Sequence, residues 1–337
     1  MEAEPLAIQS PYLMFLGDAP DQLAAKTADG VKHWRPDWCK AQFRLPGCNA
    51  DLGLPDMTIA EAAAAGIKTV ILGVANRGGV IGEAWMQELV AALENGMDIA
   101  SGLHTRLADS DELVAAAEAN GTRLIEVRHP RQTFGVASGV QRSGKRLLTV
   151  GTDCSVGKMF TSLAIEREMK NRSMSADFRA TGQTGIFIAG DGVSVDAVVA
   201  DFISGATEWL TPPNDDDHWD VVEGQGSLFH ASYAGVSLGL LHGAQADALV
   251  LCHEPTRTHM RGLPQAPIPD LKACIELNEA CAQLTRPGSR CVGVSINTAA
   301  LDDAAAQELL SSTSDALGLP TVDAYRFGAG PLVDALG

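Results

Sequence analysis

Residues Gly151 to Thr161 read G-T-D-C-S-V-G-K-M-F-T, and their types and spacing suit the capture of a phosphate. Gly151, Gly157 and Lys158 mark a phosphate-binding loop, with Thr152, Asp153, Cys154, Ser155 and Val156 between the glycines. Glycines let the backbone curl until successive N–H groups face one anion. A helix starting here adds its partial positive charge, and Lys158 adds a full one. A nucleotide triphosphatase places Ser or Thr directly after the lysine, because that hydroxyl binds Mg²⁺. Here the residue is Met159, whose thioether is a poor ligand for a hard cation. The loop keeps what holds a diphosphate and lacks what positions a metal for phosphoryl transfer. It predicts a pyrophosphate ligand that is gripped and not hydrolysed, such as coenzyme A, and no metal.

Other polar clusters follow apolar, strand-like runs: Thr181-Gly-Gln-Thr-Gly185 with Gly190-Asp-Gly192, Glu223-Gly-Gln-Gly-Ser227, His253-Glu-Pro-Thr-Arg257 and Ser295-Ile-Asn-Thr298. Ligands of open α/β sheets bind at strand ends of this kind, so these clusters are expected beside the loop. Asp191, between two glycines, and Glu223, at the end of an apolar run, could each take a proton from a substrate amine. Asp191 could equally open a helix, and Glu223 could equally bond a neighbouring strand. Gln183 and Gln225 could stabilise an oxyanion. Asn297 could read an adenine, or be a simple turn asparagine. Arginine recognises carboxylates best. Asn76 and Arg77, in a glycine-rich loop, and Arg257 are the candidate substrate-carboxylate ligands. Cys154 lies among loop N–H groups that could lower its thiol pKa and open a nucleophilic role to it; it could equally be a loop cysteine that only fits its space. His230 and His253 are weaker candidates. There is no H-E-x-x-H or paired Cys/His metal pattern.

Strands and helices must position these residues. Arg146-Leu-Leu-Thr-Val150 reads as the strand before the loop, and 158–172 as the helix after it. Upstream, strands are expected at Tyr12–Leu16, Thr69–Gly73, Asp98–Ala100 and Arg123–Val127, with helices at Glu83–Asn95 and Asp111–Asn120. Downstream, strands are expected at 177–180, 219–223, 248–253, 291–296 and 321–323. Helical spacing of apolar residues over Ser194–Leu210 predicts one continuous helix. Alternating strands and helices predict parallel sheets. The fold class is therefore α/β in two domains: a Rossmann-like parallel sheet over 1–138 and a P-loop NTPase-like parallel sheet over 139–337. The turn-rich stretch from His129 to Gly144 reads as a linker.

The 337 residues suffice for two cores, and a 46% hydrophobic, 20% charged composition is that of an ordinary globular protein. A formal net charge of −17 argues against nucleic acid or an anionic membrane as partner. Seven cysteines without a C-x-x-C argue against a disulfide framework or structural zinc, and for a reducing cytoplasm. The first ten residues carry two glutamates and no basic residue, unlike a secretory signal. No apolar run reaches the roughly 18 residues a membrane span needs. A homo-oligomer is left open.

Several motifs together resemble a known family: Leu16-Gly-Asp-Ala-Pro20, Arg44-Leu-Pro-Gly47, Gly73-Val-Ala-Asn-Arg-Gly-Gly79, Gly151 to Lys158, Ala180-Thr-Gly-Gln-Thr-Gly185, Glu223-Gly-Gln-Gly-Ser-Leu228 and His253-Glu-Pro-Thr-Arg257. The set is similar to the bacterial D-glutamate N-acetyltransferases, long held as a family of unknown function, over nearly the whole chain. The resemblance implies a Rossmann-like N-terminal domain and a C-terminal P-loop domain. It also implies acetyl-CoA as donor, D-glutamate as acceptor and a place in D-glutamate catabolism. The loop alone also resembles that of dethiobiotin synthetase, an ATP-dependent carboxylate–amine ligase. Met159 departs from that enzyme's threonine, which counts against ATP hydrolysis. A non-catalytic coenzyme A sensor is a third reading.

Overall fold

Two apolar runs, Tyr12–Gly17 (β1) and Thr69–Leu72 (β3), are buried along their whole length, as strands covered on both faces of a parallel sheet must be. The computed structural model describes residues 8–74, 81–130 and 132–337. β1 pairs with β3 and with Cys39–Arg44 (β2); Asp98–Ser101 (β4) and Leu124–Glu126 (β5) continue the sheet beyond β3. Every pairing is parallel, and the order is β2-β1-β3-β4-β5. The chain leaves β1 in one direction and β3 in the other, so a crevice opens beyond their carboxyl ends. The connecting helices are Lys26–Trp34 (α1), Ile59–Ala64 (α2), Glu83–Glu94 (α3) and Asp111–Asn120 (α4). Local signals fix α4: the Ser110 hydroxyl caps the Leu113 N–H, and Gly121 ends the helix at φ 65°. β2 was not among the expected strands. Its sequence, C-K-A-Q-F-R, mixes polar and apolar residues because it is an edge strand with Lys40 exposed.

The second sheet is built from Lys145–Gly151 (β6), Ala176–Arg179 (β7), Trp219–Val222 (β8), Ala248–His253 (β9), Arg290–Ile296 (β12) and Thr321–Val322 (β13). All are parallel, in the order β13-β12-β9-β6-β8-β7. A short antiparallel hairpin, His259–Met260 (β10) with Leu263–Pro267 (β11), stands apart from it. Helices Lys158–Asn171 (α5), Gln183–Ala189 (α6), Ile203–Leu210 (α7), Ala234–Ala244 (α8), Leu271–Gln283 (α9), Asp303–Leu317 (α10) and Gly330–Asp334 (α11) complete the chain. β6 lies between β8 and β9, where the strand order reverses direction. The loop after β6 therefore sits at the switch point of this sheet. Both expected parallel α/β sheets are present.

The chain divides into two units: Met1–Gln132 with Gly182–Ala197, and Thr133–Thr181 with Val198–Gly337. The expected segments 1–138 and 139–337 differ from these chiefly at 182–197, which carries α6. α6 packs against α1. This division also corrects the single helix expected over Ser194–Leu210. The segment contains separate 3-10 turns at Val195–Ala197 and Ala200–Phe202, and only α7 is α-helical. Val195 is buried in the first unit, whereas Ile203, Ala206 and Leu210 are buried in the second. One rigid helix could not serve two cores. The expected linker is also more than a tether. Ser138 and Gly139 donate their N–H groups to the Glu208 carboxylate, and Arg142 donates to the carbonyls of Gly243 and Ala244. Residues 133–144 thus form an extended strap bonded along the second unit.

Candidate active site

The phosphate loop is held from outside by a buried carboxylate and an arginine. Asp153 is fully buried; its Oδ1 accepts from the Cys154 N–H at 2.7 Å. Its Oδ2 accepts from Arg257 Nη1 at 2.9 Å and from the Arg261 N–H at 2.8 Å. Arg257 also donates to the carbonyls of Cys154 (2.6 Å) and Ser155 (2.7 Å), and pairs with Glu254. Loop carbonyls are thereby turned outward onto Arg257. The N–H groups of Ser155, Val156 and Gly157 have no acceptor among the described residues, which is the state an anion-binding nest requires. Ser155 (φ 54°) and Gly157 (φ 101°) hold the left-handed backbone that makes the curl. Arg257, expected to read a substrate carboxylate, is instead committed to the loop itself; its partners lie about a hundred residues upstream in sequence.

Lys158 opens α5 with its side chain buried, donating to the carbonyls of Asp153 and Gly226 at 2.8 Å each. Burial holds its pKa below the usual lysine range, so an arriving anion would favour its charged form. Met159 occupies the next position, half-buried. Hydroxyls further along this helix are used internally: Thr161 donates to Ser295 Oγ, and Ser162 bonds Thr149 Oγ1 and the Lys158 carbonyl. Asp153, Cys154 and His230 converge closely enough to hold an ion. The His230 ring is already engaged at both nitrogens, accepting from the Ser232 N–H at Nδ1 and facing the Arg261 carbonyl at Nε2. Thr152, fully buried, bonds His253 Nδ1 through its hydroxyl at 3.0 Å. Burial lowers the pKa of that imidazole.

One flank of the loop, formed by the ends of β8 and β7, is organised around Thr181, a hub that local sequence pattern did not single out. Its N–H donates to Glu223 Oε2 at 2.9 Å and its hydroxyl to the Glu223 carbonyl at 2.6 Å. Gln225 Nε2 donates to the same hydroxyl at 3.2 Å. Glu223 is only 4% exposed and close enough to raise the Lys158 pKa. A Cβ on Gly224 would overlap the Thr149 carbonyl oxygen, so only glycine lets the chain pass so near β6. On the other flank, beyond β9 and β12, Asn297 is exposed; its Oδ1 accepts from the Ala299 N–H at 3.1 Å, and its amide nitrogen has no acceptor among the described residues.

Within the first unit, Gln183 and Asp191 both lie on the 182–197 segment. With its amide oriented to satisfy both ends, Gln183 donates to the Gly102 carbonyl at 2.6 Å and accepts from Arg128 Nη2 at 3.3 Å. Arg128 also donates to Gly102 O and pairs with Asp196. Asp191 is exposed, with Oδ1 accepting from the Gly192 N–H at 2.8 Å. It does not open a helix. Asn76 and Arg77 fall just after β3, outside the described residues.

At Cys154 burial pushes the thiol pKa up, outweighing Lys158 and the neighbouring arginines, which favours the cysteine that only fits its space over the nucleophile. Burial also pushes Cys252 and Cys291 to about 11 and Cys39 and Cys274 to about 12. Titration of the native chain with a disulfide reagent at pH 8 is therefore expected to label only the half-buried Cys48, Cys154 and Cys281. A loop-bound diphosphate ligand should protect Cys154 selectively. Rapid labelling of Cys252 would contradict this picture of the loop.

A Rossmann-like parallel sheet and a P-loop parallel sheet in one chain define a class of two-domain α/β proteins. A Rossmann-like domain of unknown function, DUF1611_N, matches residues 43–130, and its companion P-loop domain, DUF1611, matches residues 134–333. The chain belongs to the DUF1611 family. A crystal structure of a DUF1611 family protein from Anabaena variabilis is 34% identical, covers 97% of this chain and 99% of that one, and superposes with a TM-score of 0.87. A relative from Tritonibacter scottomollicae, named D-glutamate N-acetyltransferase, is 57% identical over 98% of this chain and 99% of its own. One from Pseudoalteromonas sp. bearing the same name is 49% identical over 97% and 99%. Among the described residues, no helix is long and apolar enough to cross a membrane.

Proposed function

We propose that the chain is an N-acetyltransferase that moves the acetyl group of acetyl-CoA to the amine of D-glutamate. The observation that carries this reading is the loop: a buried Lys158 and N–H groups without an acceptor among the described residues, with Met159 where a phosphoryl-transfer enzyme would place its metal-binding hydroxyl. Its presence in a chain 57% identical to a D-glutamate N-acetyltransferase supports the acyl donor and acceptor.

In this reading the diphosphate of coenzyme A lies on residues 152–158, and Asn297 reads the adenine. The pantetheine arm carries the thioester well away from the diphosphate. Glu223 stands beside Lys158 and holds the Thr181 N–H, so it orders the β7–β8 edge. Asp191, with an accessible carboxylate, is the better base. It takes a proton from the ammonium of D-glutamate; the amine attacks the thioester carbonyl, the C–N bond forms, the C–S bond breaks, and the leaving thiolate takes up the second amine proton to depart as the thiol. Gln225 is the amide placed to stabilise the oxyanion. Asn76 and Arg77 are assigned to the acceptor's carboxylates, and Gln183, in the same unit, accepts from Arg128. Neither charge sharing through a metal nor a covalent acyl-enzyme on Cys154 is part of this scheme.

The test is thiol release from acetyl-CoA across a panel of D- and L-amino acids, run beside ADP release from Mg-ATP. Release of free thiol with D-glutamate and no ADP is expected. ADP formation that requires an amino acid would instead support the ligase reading.

A further inference from the structure

We infer that Arg261 is the cation that closes the phosphate loop from its solvent side, its guanidinium bonding the diphosphate held on the N–H groups of residues 155–157. The assignment rests on the coenzyme A reading of the loop. A diphosphate is multiply charged, and the chain that must attract it carries a net charge of −17. Lys158 supplies one positive charge from inside the loop. Arg257 does not supply another, because its guanidinium is spent on Asp153, Glu254 and the loop carbonyls. Arg261 is exposed, and among the described residues it pairs with no carboxylate.

The main chain of Arg261 is fixed on both sides by buried side chains. Its N–H donates to Asp153 Oδ2 at 2.8 Å, and its carbonyl accepts from His230 Nε2 at 3.0 Å. His230 Nδ1 accepts from the Ser232 N–H, which makes Nε2 the protonated nitrogen of a neutral ring. Asp153 and His230 are both buried. Asp153 also holds the Cys154 N–H, so one carboxylate sets the β10–β11 hairpin against the loop. Arg261 opens the turn of that hairpin: Met260 before it is buried, and its own side chain is exposed. Its Nη1 donates to the hydroxyl of Ser155, a residue whose N–H belongs to the nest. Its charge also reaches the loop, where it works against the burial that raises the Cys154 thiol pKa. A guanidinium offers five N–H donors in a rigid fork that matches phosphate oxygens. The Ser155 hydroxyl engages one nitrogen of that fork, and among the described residues no other acceptor takes the rest. The loop is thus flanked by a buried ammonium on one side and a pre-placed guanidinium on the other.

The experiment uses the full chain with Arg261→Gln and Arg261→Lys. The anchors to Asp153 and His230 are main-chain groups of Arg261, so both variants keep them. Calorimetry is run with inorganic pyrophosphate, acetyl-CoA and 3′-dephospho-acetyl-CoA. Arg261→Gln is expected to bind all three about tenfold more weakly, and Arg261→Lys, which keeps the charge and loses the fork, about threefold more weakly. The denaturant unfolding midpoints should stay native. Native affinity in Arg261→Gln, a loss that comes with a lowered midpoint, or no pyrophosphate binding by the native chain would each overturn the assignment. A loss confined to acetyl-CoA would overturn it too, by moving Arg261 to the 3′-phosphate. Weakened binding of all three ligands, with no thiol released from acetyl-CoA in the presence of D-glutamate, would uphold the contact and overturn the transferase reading.

Discussion

A Lys158→Met variant is expected to bind acetyl-CoA about 10- to 100-fold more weakly than the native chain, the loss of charge-assisted hydrogen bonds worth about 1.5–3 kcal/mol. Methionine keeps the buried stem and removes only the ammonium. In the free chain that ammonium bridges Asp153 O and Gly226 O, so it is already aimed into the loop and no search for its position is needed on binding. pH adds a second readout. Burial lowers the Lys158 pKa in the free protein, and a bound diphosphate stabilises the charged form, so binding takes up a proton between the two values. Native affinity should therefore fall as pH rises through that window, and the slope should vanish in Lys158→Met. Equilibrium titration with acetyl-CoA at several pH values measures both effects. Unchanged affinity would remove the loop from the account.

Asp191→Asn is expected to lower kcat for D-glutamate by about 10²- to 10⁴-fold, the usual contribution of a positioned base, with little change in the KM for acetyl-CoA. Its carboxylate is exposed and, among the described residues, accepts from the Gly192 N–H, so the amide should fold as well as the acid. Glu223→Gln should behave differently. Glu223 is buried and accepts from the Thr181 N–H; a glutamine can still accept that bond, so a modest loss of acetyl-CoA affinity is expected, with kcat largely kept. Steady-state kinetics of the two variants, paired with denaturant unfolding, separate a proton-transfer role from a structural one. If Glu223→Gln loses the turnover and Asp191→Asn keeps it, the two roles are exchanged.

Much of the loop's chemistry was readable from local pattern. An apolar run, Gly151, Gly157 and Lys158 on the eve of a helix placed β6, the nest and α5, because each signal acts within a few residues of itself. Met159 was readable for the same reason: its side chain follows the lysine whatever the rest of the fold does. α4 was delimited by its own cap and glycine. Arg257 was not readable, since the carboxylate and carbonyls it binds are 102–104 residues away in sequence, and a lone arginine after a strand looks the same whether it meets a substrate or its own chain.

The amino-acid order by itself determined the two parallel sheets, the P-loop and the methionine that follows its lysine, all of which follow from periodicity, glycine placement and side-chain type over short spans. Only the tertiary structure decided that 182–197 joins the first unit, that the expected helix over 194–210 breaks into separate turns and one helix, and that Thr181 acts as a hub. Those outcomes depend on which distant surfaces compete to bury the same segment, and burial is settled by contacts far apart along the chain rather than by neighbours within it.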